Sequence, residues 1–168
     1  MEDMAGLRTV FKKNGTVTAG NASGINDGAA AVILASGEAV KRLNLTPMAR
    51  IVADGHAGVD PRYMGIGPVP ASRKALERAG MKVADMDVIE SNEAFAAQAC
   101  AVARDLEFDM AKVNPNGSGI SLGHPVGATG SIVTVKAMYE MRRTGGKHAL
   151  VTMCIGGGQG IAAVLERV

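Results

Sequence analysis

Three glycine-bearing loops of the 168-residue chain carry side chains that can move protons or donate hydrogen bonds. Cys154 opens the string CIGGGQG, where a thiol could act as acid or base beside exposed backbone N–H groups. His124 lies in NPNGSGISLGHPVGATG, whose glycines leave the backbone bare, so its imidazole could serve as general base or hydrogen-bond donor. Asn92, in SNEAF, could hold a water or a substrate carbonyl at a helix N-terminus. A cysteine and a histidine on glycine-rich loops suit acyl transfer, provided that a second cysteine carries the acyl group.

Each of these three residues also has a plain structural interpretation. Asn92 by itself is more typical of a helix N-cap, and a lone histidine is usually packed or exposed. A free cysteine is most often a small buried core residue. Residue types alone therefore leave both interpretations open.

Two familiar motifs occur without the context that they need. Residues 119–123, GISLG, match the nucleophile elbow of hydrolases, yet no aspartate follows Ser121. The one acid between that serine and His148 is Glu140, which lies in a predicted helix at charged-surface spacing. Residues 158–163, GQGIAA, match a dinucleotide-binding pattern but lie too near the C-terminus to open a helix and a second strand. We therefore reject a hydrolase triad and a dinucleotide site.

A layered α/β domain with a mainly parallel sheet would position these loops, because predicted strands and helices alternate from residue 48 onward. The turn at 156–158 is too short for a parallel crossover, so the last strand must be antiparallel or change sheets. Strands are predicted over 49–57, 86–91, 148–154 and 160–165, and helices over 71–79, 93–106 and 126–142.

The residues before this domain give a different pattern. The apolar run 29–35, AAAVILA, is consistent with a buried strand or with a helix leading into one. Ser36 is predicted to cap a short helix through Leu43. A break near residues 44–48 separates this part from the rest.

Composition narrows the class of protein further. The chain is 47% hydrophobic and 20% charged, which fits an ordinary globular protein. A net charge of +2 and 3% aromatic residues argue against a dedicated nucleic-acid binder. The two cysteines form neither a disulfide framework nor a zinc pattern, and the sequence shows no signal core or bilayer-spanning apolar run. We expect a cytoplasmic protein with no metal, nucleic-acid or membrane partner.

Five strings occur in the order found in thiolases, and the chain resembles the C-terminal part of an acetyl-CoA acyltransferase, or β-ketothiolase. They are NASGINDGAA, MGIGPVPA, NEAFAAQ, GHPVGATG and CIGGGQGIA. The resemblance runs from about residue 7 to the end. It implies that residues 47–168 form the thiolase C-terminal βαβαβαββ domain, with a mixed, mainly parallel five-stranded sheet. Residues 1–46 would be the end of the loop region and a remnant of the N-terminal domain.

The resemblance implies reversible Claisen condensation and thiolysis of acyl-CoA thioesters. His124 would activate the nucleophilic cysteine and help to stabilise the thioester enolate, and Asn92 would hold a water in the same oxyanion hole. Cys154 would move the proton at the α-carbon, and the backbone N–H of Gly156 would form half of the second oxyanion hole. Coenzyme A and acyl-CoA would be substrates, with no tightly bound cofactor.

The resemblance also implies a substrate channel, because four residues match positions that line the pantetheine channel of the family. They are Ser23, Met64, Ala94 and Phe95. Without the resemblance, these four residues would be interpreted as loop and core packing.

The acylated cysteine of the family, which lies in a Cys-Gly-Ser-Gly context, is missing. Cys100, in FAAQACAVA, lacks that context and is interpreted as packing. We therefore expect the chain alone to be inactive, with the N-terminal half of the same protein as its partner and a homotetramer as the family's assembly. GSGIS at 117–121 departs from the family's usual GGAIA and assigns no substrate.

Three other classes remain for comparison. A stand-alone, non-catalytic domain could bind a CoA ester or a partner chain. An α/β hydrolase is disfavoured by the missing triad acid. Ketoacyl-synthase-like condensing enzymes share the architecture, but they use two histidines, or histidine and asparagine, and lack a catalytic cysteine in a CIGGG turn.

Overall fold

A four-stranded sheet lies at the centre of the computed structural model, which describes residues 2–168. The strands are β1 (Ala49–Gly58), β2 (Val88–Ser91), β3 (His148–Ile155) and β4 (Gln159–Arg167), in the spatial order β1-β4-β3-β2. The helices are α1 (Glu2–Ala5), α2 (Gly37–Arg42), α3 (Pro68–Ala79), α4 (Ala96–Asp105), α5 (Gly119–Leu122) and α6 (Thr129–Thr144). Short 3-10 segments occupy Pro61–Ile66, Val83–Asp85 and Met110–Lys112.

The sheet is mixed, which confirms the α/β class, although its strand number and directions differ from the expectation. β2 and β3 pair in parallel, whereas β4 runs antiparallel to both β3 and β1. The short turn at 156–158 makes β3 and β4 a hairpin, which confirms the antiparallel alternative. The described sheet therefore has four strands rather than five, and most of its pairings are antiparallel.

Beyond β2, where a fifth strand could pair, the structure has only one bridge, between Ile89 and Val113. Asn114 follows with a left-handed φ of 46° and turns the chain away from the sheet. Its side-chain amide replaces the backbone ladder: Oδ1 accepts from the Ser91 N–H at 2.9 Å, and Nδ2 donates to the Ser91 carbonyl at 2.8 Å. Pairing at this edge therefore ends after a single residue.

Helices cover both faces of the sheet. α3 packs on β1 and β4 and, with α4, encloses an apolar core that includes Ile89 and Leu150. α6 covers the opposite face with a buried stripe of Val133, Ala137 and Met141. Among residues 2–168, no helix is both long and apolar enough to cross a membrane.

Three helices begin at other residues than the pattern predicts. α3 begins at Pro68, three residues early, because proline is well tolerated in the first turn of a helix. α4 begins at Ala96, and α6 at Thr129, each three residues late. Val126, expected on the apolar stripe of α6, therefore lies outside that helix and is 64% exposed.

The apolar run 29–35 is neither buried nor regular, so the expectation of a core element there is wrong. Ile33 is 94% exposed and Leu34 is 76% exposed. The composition of the run favours burial, but residues 2–168 provide no surface that covers these side chains. The helix predicted directly afterwards is confirmed, because Ser36 Oγ accepts from the Ala39 N–H at 3.1 Å and caps α2.

Candidate active site

Asn92 is placed directly beyond β2 and points its amide at a histidine. Its N–H donates to the Thr152 carbonyl at 3.0 Å, which extends the pairing of β2 with β3 by one residue. Its side-chain Nδ2 lies 3.5 Å from Nε2 of His124. The predicted N-cap role of Asn92 is wrong, because Phe95 occupies the N-cap of α4. The Asn92 amide, only 1% exposed, is therefore not used in helix capping.

His124 is held by contacts on both sides of its ring and on its backbone. Its N–H donates to the Gly24 carbonyl at 3.0 Å and to Asn26 Oδ1 at 3.3 Å. A Cβ at Gly123 would lie 2.5 Å from Asn26 Oδ1, and the φ of 104° there also favours glycine. The glycine before the histidine thus allows the loop to close against segment 24–26.

Thr129 defines the tautomer of His124. Thr129 Oγ1 lies 2.7 Å from His124 Nδ1 and donates its single proton to the Pro125 carbonyl at 2.9 Å. Nδ1 must therefore be the donor to Thr129, which leaves Nε2 free to accept a proton. Desolvation by burial lowers the pKa of His124, so the resting imidazole is neutral at physiological pH.

Cys154 lies near the carboxyl end of β3, two residues beyond the Thr152 carbonyl that binds Asn92. Parallel β2 and β3 direct their carboxyl ends to the same edge of the sheet, the edge at which α/β folds bind ligands. Cys154 is 7% exposed, and burial raises the pKa of its thiol. The structure thus brings Asn92 and His124 into contact and places Cys154 at their edge of the sheet.

Gly156 begins the turn between β3 and β4 and is exposed. A Cβ at this position would meet no other atom within 4 Å, so the space in front of its backbone is open. The turn continues through two glycines with φ of 85° and 88°. A second oxyanion hole would require an accessible N–H close to Cys154, so the role of Gly156 there stays a prediction.

The four residues predicted to line a pantetheine channel lie around the start of α4. The Ser23 N–H donates to the Ala94 carbonyl at 3.0 Å, and the residue before Ser23 bridges Phe95. The Phe95 ring meets Phe11 edge to face, with centroids 6.0 Å apart. Met64, half-buried, belongs to a 3-10 segment that contacts α4. The structure gathers these residues, while their binding role stays a prediction.

Cys100 is exposed on α4, so its interpretation as a packing residue is wrong. The alanine-rich run around it indicated a buried face, but the buried residues of this helix are Gln98 and Val102. Cys100 lies mid-helix without a glycine turn or a histidine contact, in contrast to Cys154 and its loop.

Sequence patterns did not reveal the residues that hold the neighbours of Asn92 and His124 in place through hydrogen bonds. Asn114 Nδ2 donates to Glu93 Oε1 at 3.1 Å in addition to binding Ser91, and the Ser118 hydroxyl donates to the Ser91 carbonyl at 3.2 Å. Thr129 was missed as well. Their proximity in the strings NPNGS and GATG was a signal, but it did not indicate which backbone group each would bind.

Comparison with known proteins gives a consistent result. The family model of the thiolase C-terminal domain matches residues 45–167, and that of the thiolase N-terminal domain matches residues 1–38. Beta-ketothiolase BktB of Cupriavidus necator is 67% identical over 100% of this chain and 43% of its own length. Acetyl-CoA acetyltransferase of Shinella zoogloeoides is 55% identical over 99% of this chain and 42% of its own length. The crystal structure of the Bacillus anthracis acetyl-CoA acetyltransferase matches with a TM-score of 0.96 and 51% identity, over 99% of this chain and 42% of that one.

The chain belongs to the thiolase family, which confirms the resemblance of the five motifs. It spans less than half the length of the relatives that it matches. The roles of individual site residues, and the division of the chain at residues 46 and 47, stay predictions.

Proposed function

We propose that residues 1–168 supply the proton-transferring part of a thiolase active site, which condenses or cleaves acyl-CoA thioesters by Claisen chemistry. The contact between Asn92 and His124, at the sheet edge that also holds Cys154, carries this proposal. A donor amide, an imidazole that donates once it is protonated, and a thiol at one edge of the sheet are what removal of a weakly acidic α-proton needs.

His124 first acts as a base and then as a donor. The free Nε2 takes the proton of a nucleophilic thiol, and the imidazolium that forms is stabilised at Nδ1 by Thr129. The Nε2–H gained in this step then donates to the enolate oxygen of the thioester, with a water held by the Asn92 amide as second donor. Neutral histidine at rest, which burial favours, is the form that this sequence of steps needs.

Cys154 moves the proton at the α-carbon. In the condensing direction its thiol first gives a proton to the coenzyme A thiolate that leaves when the acyl group moves to the nucleophilic cysteine. The Cys154 thiolate formed in this way then takes the α-proton of the second thioester, and the electron pair of the C–H bond passes into the enolate. In the thiolytic direction the thiol returns the proton to the enolate carbon after the C–C bond breaks. Burial, by raising the thiol pKa, favours the protonated form and makes the thiolate a stronger base when it forms. The Gly156 N–H faces the second developing oxyanion.

Coenzyme A and acyl-CoA are the proposed substrates, with Ser23, Met64, Ala94 and Phe95 along the pantetheine arm. The steps above are proton and acyl transfers, so we propose no tightly bound cofactor. The acyl-carrying cysteine would come from outside this sequence, because exposed, mid-helix Cys100 lacks the necessary surroundings. We propose that segment 29–35 packs against that complementary half, within a homo-oligomer.

The test compares variants of the complete gene product that contains residues 1–168. Thiolysis of acetoacetyl-CoA by coenzyme A is followed as the loss of substrate absorbance. Cys154→Ala should lower turnover about 10²- to 10⁴-fold, the usual contribution of a positioned acid or base. Cys100→Ala is the matched control and should leave turnover unchanged. Near-normal thiolysis by Cys154→Ala would overturn its role, and CoA binding without turnover by the wild type would favour a non-catalytic binding domain.

A further inference from the structure

The α6 side of β2 is held by a buried ion pair that the steps above do not use. Glu90 is fully buried, and its Oε2 accepts from Lys136 Nζ at 2.7 Å. The other oxygen, Oε1, has no hydrogen-bond partner among residues 2–168. Lys136 Nζ also donates to the carbonyl of Gly117, in the loop before His124. One ammonium group therefore joins the strand to the loop.

Strand geometry connects this ion pair to the candidate active site. Side chains alternate along an extended chain, so Glu90 and Asn92, two residues apart, project to the same face of the sheet. Lys136 reaches that face from α6. The ion pair and the Asn92 amide are therefore neighbours on one surface of the sheet.

α6 carries three polar side chains along one side, which we call the polar stripe: Thr129, Lys136 and Glu140. Their spacings of seven and four residues are close to whole helical turns. Thr129 binds the His124 ring, and Glu140 accepts from Asn116 Nδ2 at 2.9 Å. Each residue of the polar stripe therefore contacts the loop that carries His124, at Asn116, Gly117 or the histidine itself.

The loop at 114–128 depends on such links, because none of its residues is a buried apolar side chain. The Ser118 hydroxyl and the Asn114 amide tie it to Ser91 of β2. Lys136 adds the charged link, at Gly117, on the way to the histidine. The position of His124 is therefore set by polar contacts with fixed geometry rather than by core packing.

Stability alone does not explain a buried pair at this position. Replacing a buried ion pair by well-packed apolar residues is often neutral or stabilising, whereas removing one partner is costly. Burial raises the pKa of Glu90, as do Glu140 and Glu93 nearby, and the Lys136 ammonium opposes that rise. What the pair adds beyond stability is a fixed distance between strand and loop.

We propose that Lys136 is a positioning residue of the thiolase reaction. Through Glu90 and Gly117 it fixes the loop that carries His124 against the strand that carries Asn92, and it thereby sets the contact between imidazole and amide. The kinetic part of this proposal rests on the proposed function.

The kinetic test uses the complete gene product with Glu90→Gln/Lys136→Met, which removes both charges and leaves no unpaired buried ion. We expect kcat for thiolysis to fall about 10- to 100-fold, as for a small misplacement of a catalytic group, with KM within about twofold. Lys136→Arg keeps the positive charge and can still donate to Glu90 and to the Gly117 carbonyl, so this variant should retain most of the wild-type kcat. Arg50→Met/Glu166→Gln, which removes the exposed pair between β1 and β4, is the matched control and should not change kcat.

A second readout does not depend on turnover. Diethyl pyrocarbonate labels neutral imidazoles, and peptide mass analysis separates the three histidines of the sequence. The reagent should modify His124 several-fold faster in the double variant than in the wild type, and the rate at His56 should be the same in both. If the double variant does not fold, Glu90→Gln alone takes its place with the same expectation. A lowered melting temperature with unchanged kcat and unchanged His124 labelling would overturn the proposal. The two proposals can also fail separately. If the wild type shows no thiolysis but His124 is still labelled faster in the double variant, the proposed function is overturned, while Lys136 remains the residue that positions His124.

Discussion

α3 and α6 lie on opposite faces of one sheet and bury different kinds of surface. α3 meets β1 and β4 mainly through apolar side chains such as Ala75 and Leu76. α6 sets its apolar stripe beside the polar stripe of Thr129, Lys136 and Glu140. One helix therefore serves the stability of the domain, while the other serves both stability and the geometry of the site. Variants on the two faces separate these two contributions.

Turnover should fall most when the histidine on the α6 side of the sheet is replaced. His124→Asn removes the proposed base and donor, so turnover of acetoacetyl-CoA should fall about 10²- to 10⁴-fold. The free energy of unfolding should change little, because His124 is only half-buried. Steady-state kinetics and denaturant unfolding of the complete gene product measure the two quantities. A large loss of stability with normal turnover would show that His124 serves folding rather than catalysis.

The α3 side should give the opposite result. Leu76→Ala leaves a cavity in the core between α3 and the sheet, which should cost about 2–5 kcal/mol of unfolding free energy. The kcat of the protein that remains folded should stay unchanged, since Leu76 belongs to an apolar core that includes no proposed catalytic group. Urea titration with parallel kinetics tests this. A reduced kcat at full folding would show that α3 also controls the site.

Thr129→Val tests a polar contact of α6 apart from its apolar packing. The change keeps the shape of the side chain but removes the acceptor at His124 Nδ1. A hydrogen bond to a charged group contributes about 1.5–3 kcal/mol, so kcat should fall about 10- to 100-fold. Thr129→Ser keeps the hydroxyl and serves as the control. Equal rates for the valine and serine variants would show that this hydroxyl does not support the imidazolium.

The pH dependence of stability should also differ between the two faces. Burial lowers the folded-state pKa of His124, so the unfolded chain takes up this proton first as the pH falls below about 6.5. The wild type should therefore lose stability relative to His124→Asn between neutral pH and the lowered pKa, whereas the effect of Leu76→Ala should not change with pH. Urea titrations at pH 7 and pH 5 give this difference. If the difference in unfolding free energy between the wild type and His124→Asn were the same at both pH values, the lowered pKa of His124 could not be its cause.

The smallest effect on folding is expected at segment 29–35. Ile33→Ser/Leu34→Ser replaces side chains that are exposed in residues 1–168 by themselves, so the unfolding free energy of this chain alone should change by less than about 0.5 kcal/mol. Self-association of residues 1–168, which such exposed surface favours, should decrease in light scattering. A clean monomer before the change would show that this run is not adhesive.

Local patterns predicted the sheet better than they predicted its surroundings. β1, β3 and the hairpin to β4 follow from short apolar runs and one glycine turn, which the sequence contains in full. The start of α4 at Ala96 depends on the bridge between Ala22 and Phe95, a contact distant in sequence. A rule for N-caps cannot detect such a partner.

The chemistry of the candidate site was visible, but its support was not. Asn92 and His124 stood out because glycine and polar residues cluster around them. The pair Glu90 and Lys136 did not, because its members lie 46 residues apart and each resembles an ordinary surface charge in the sequence. Burial, which only the fold reveals, gives this pair its meaning.

The absence of buried apolar side chains in the loop at 114–128 also affects local opening. A segment held by polar links can detach from β2 while the two apolar cores on either face of the sheet stay packed. Amide hydrogens at Gly123 and His124 should therefore exchange with solvent well before those in the centre of β3. His124 would therefore open more easily than the buried residues Asn92 and Cys154, and any ligand bound to it would slow its exchange.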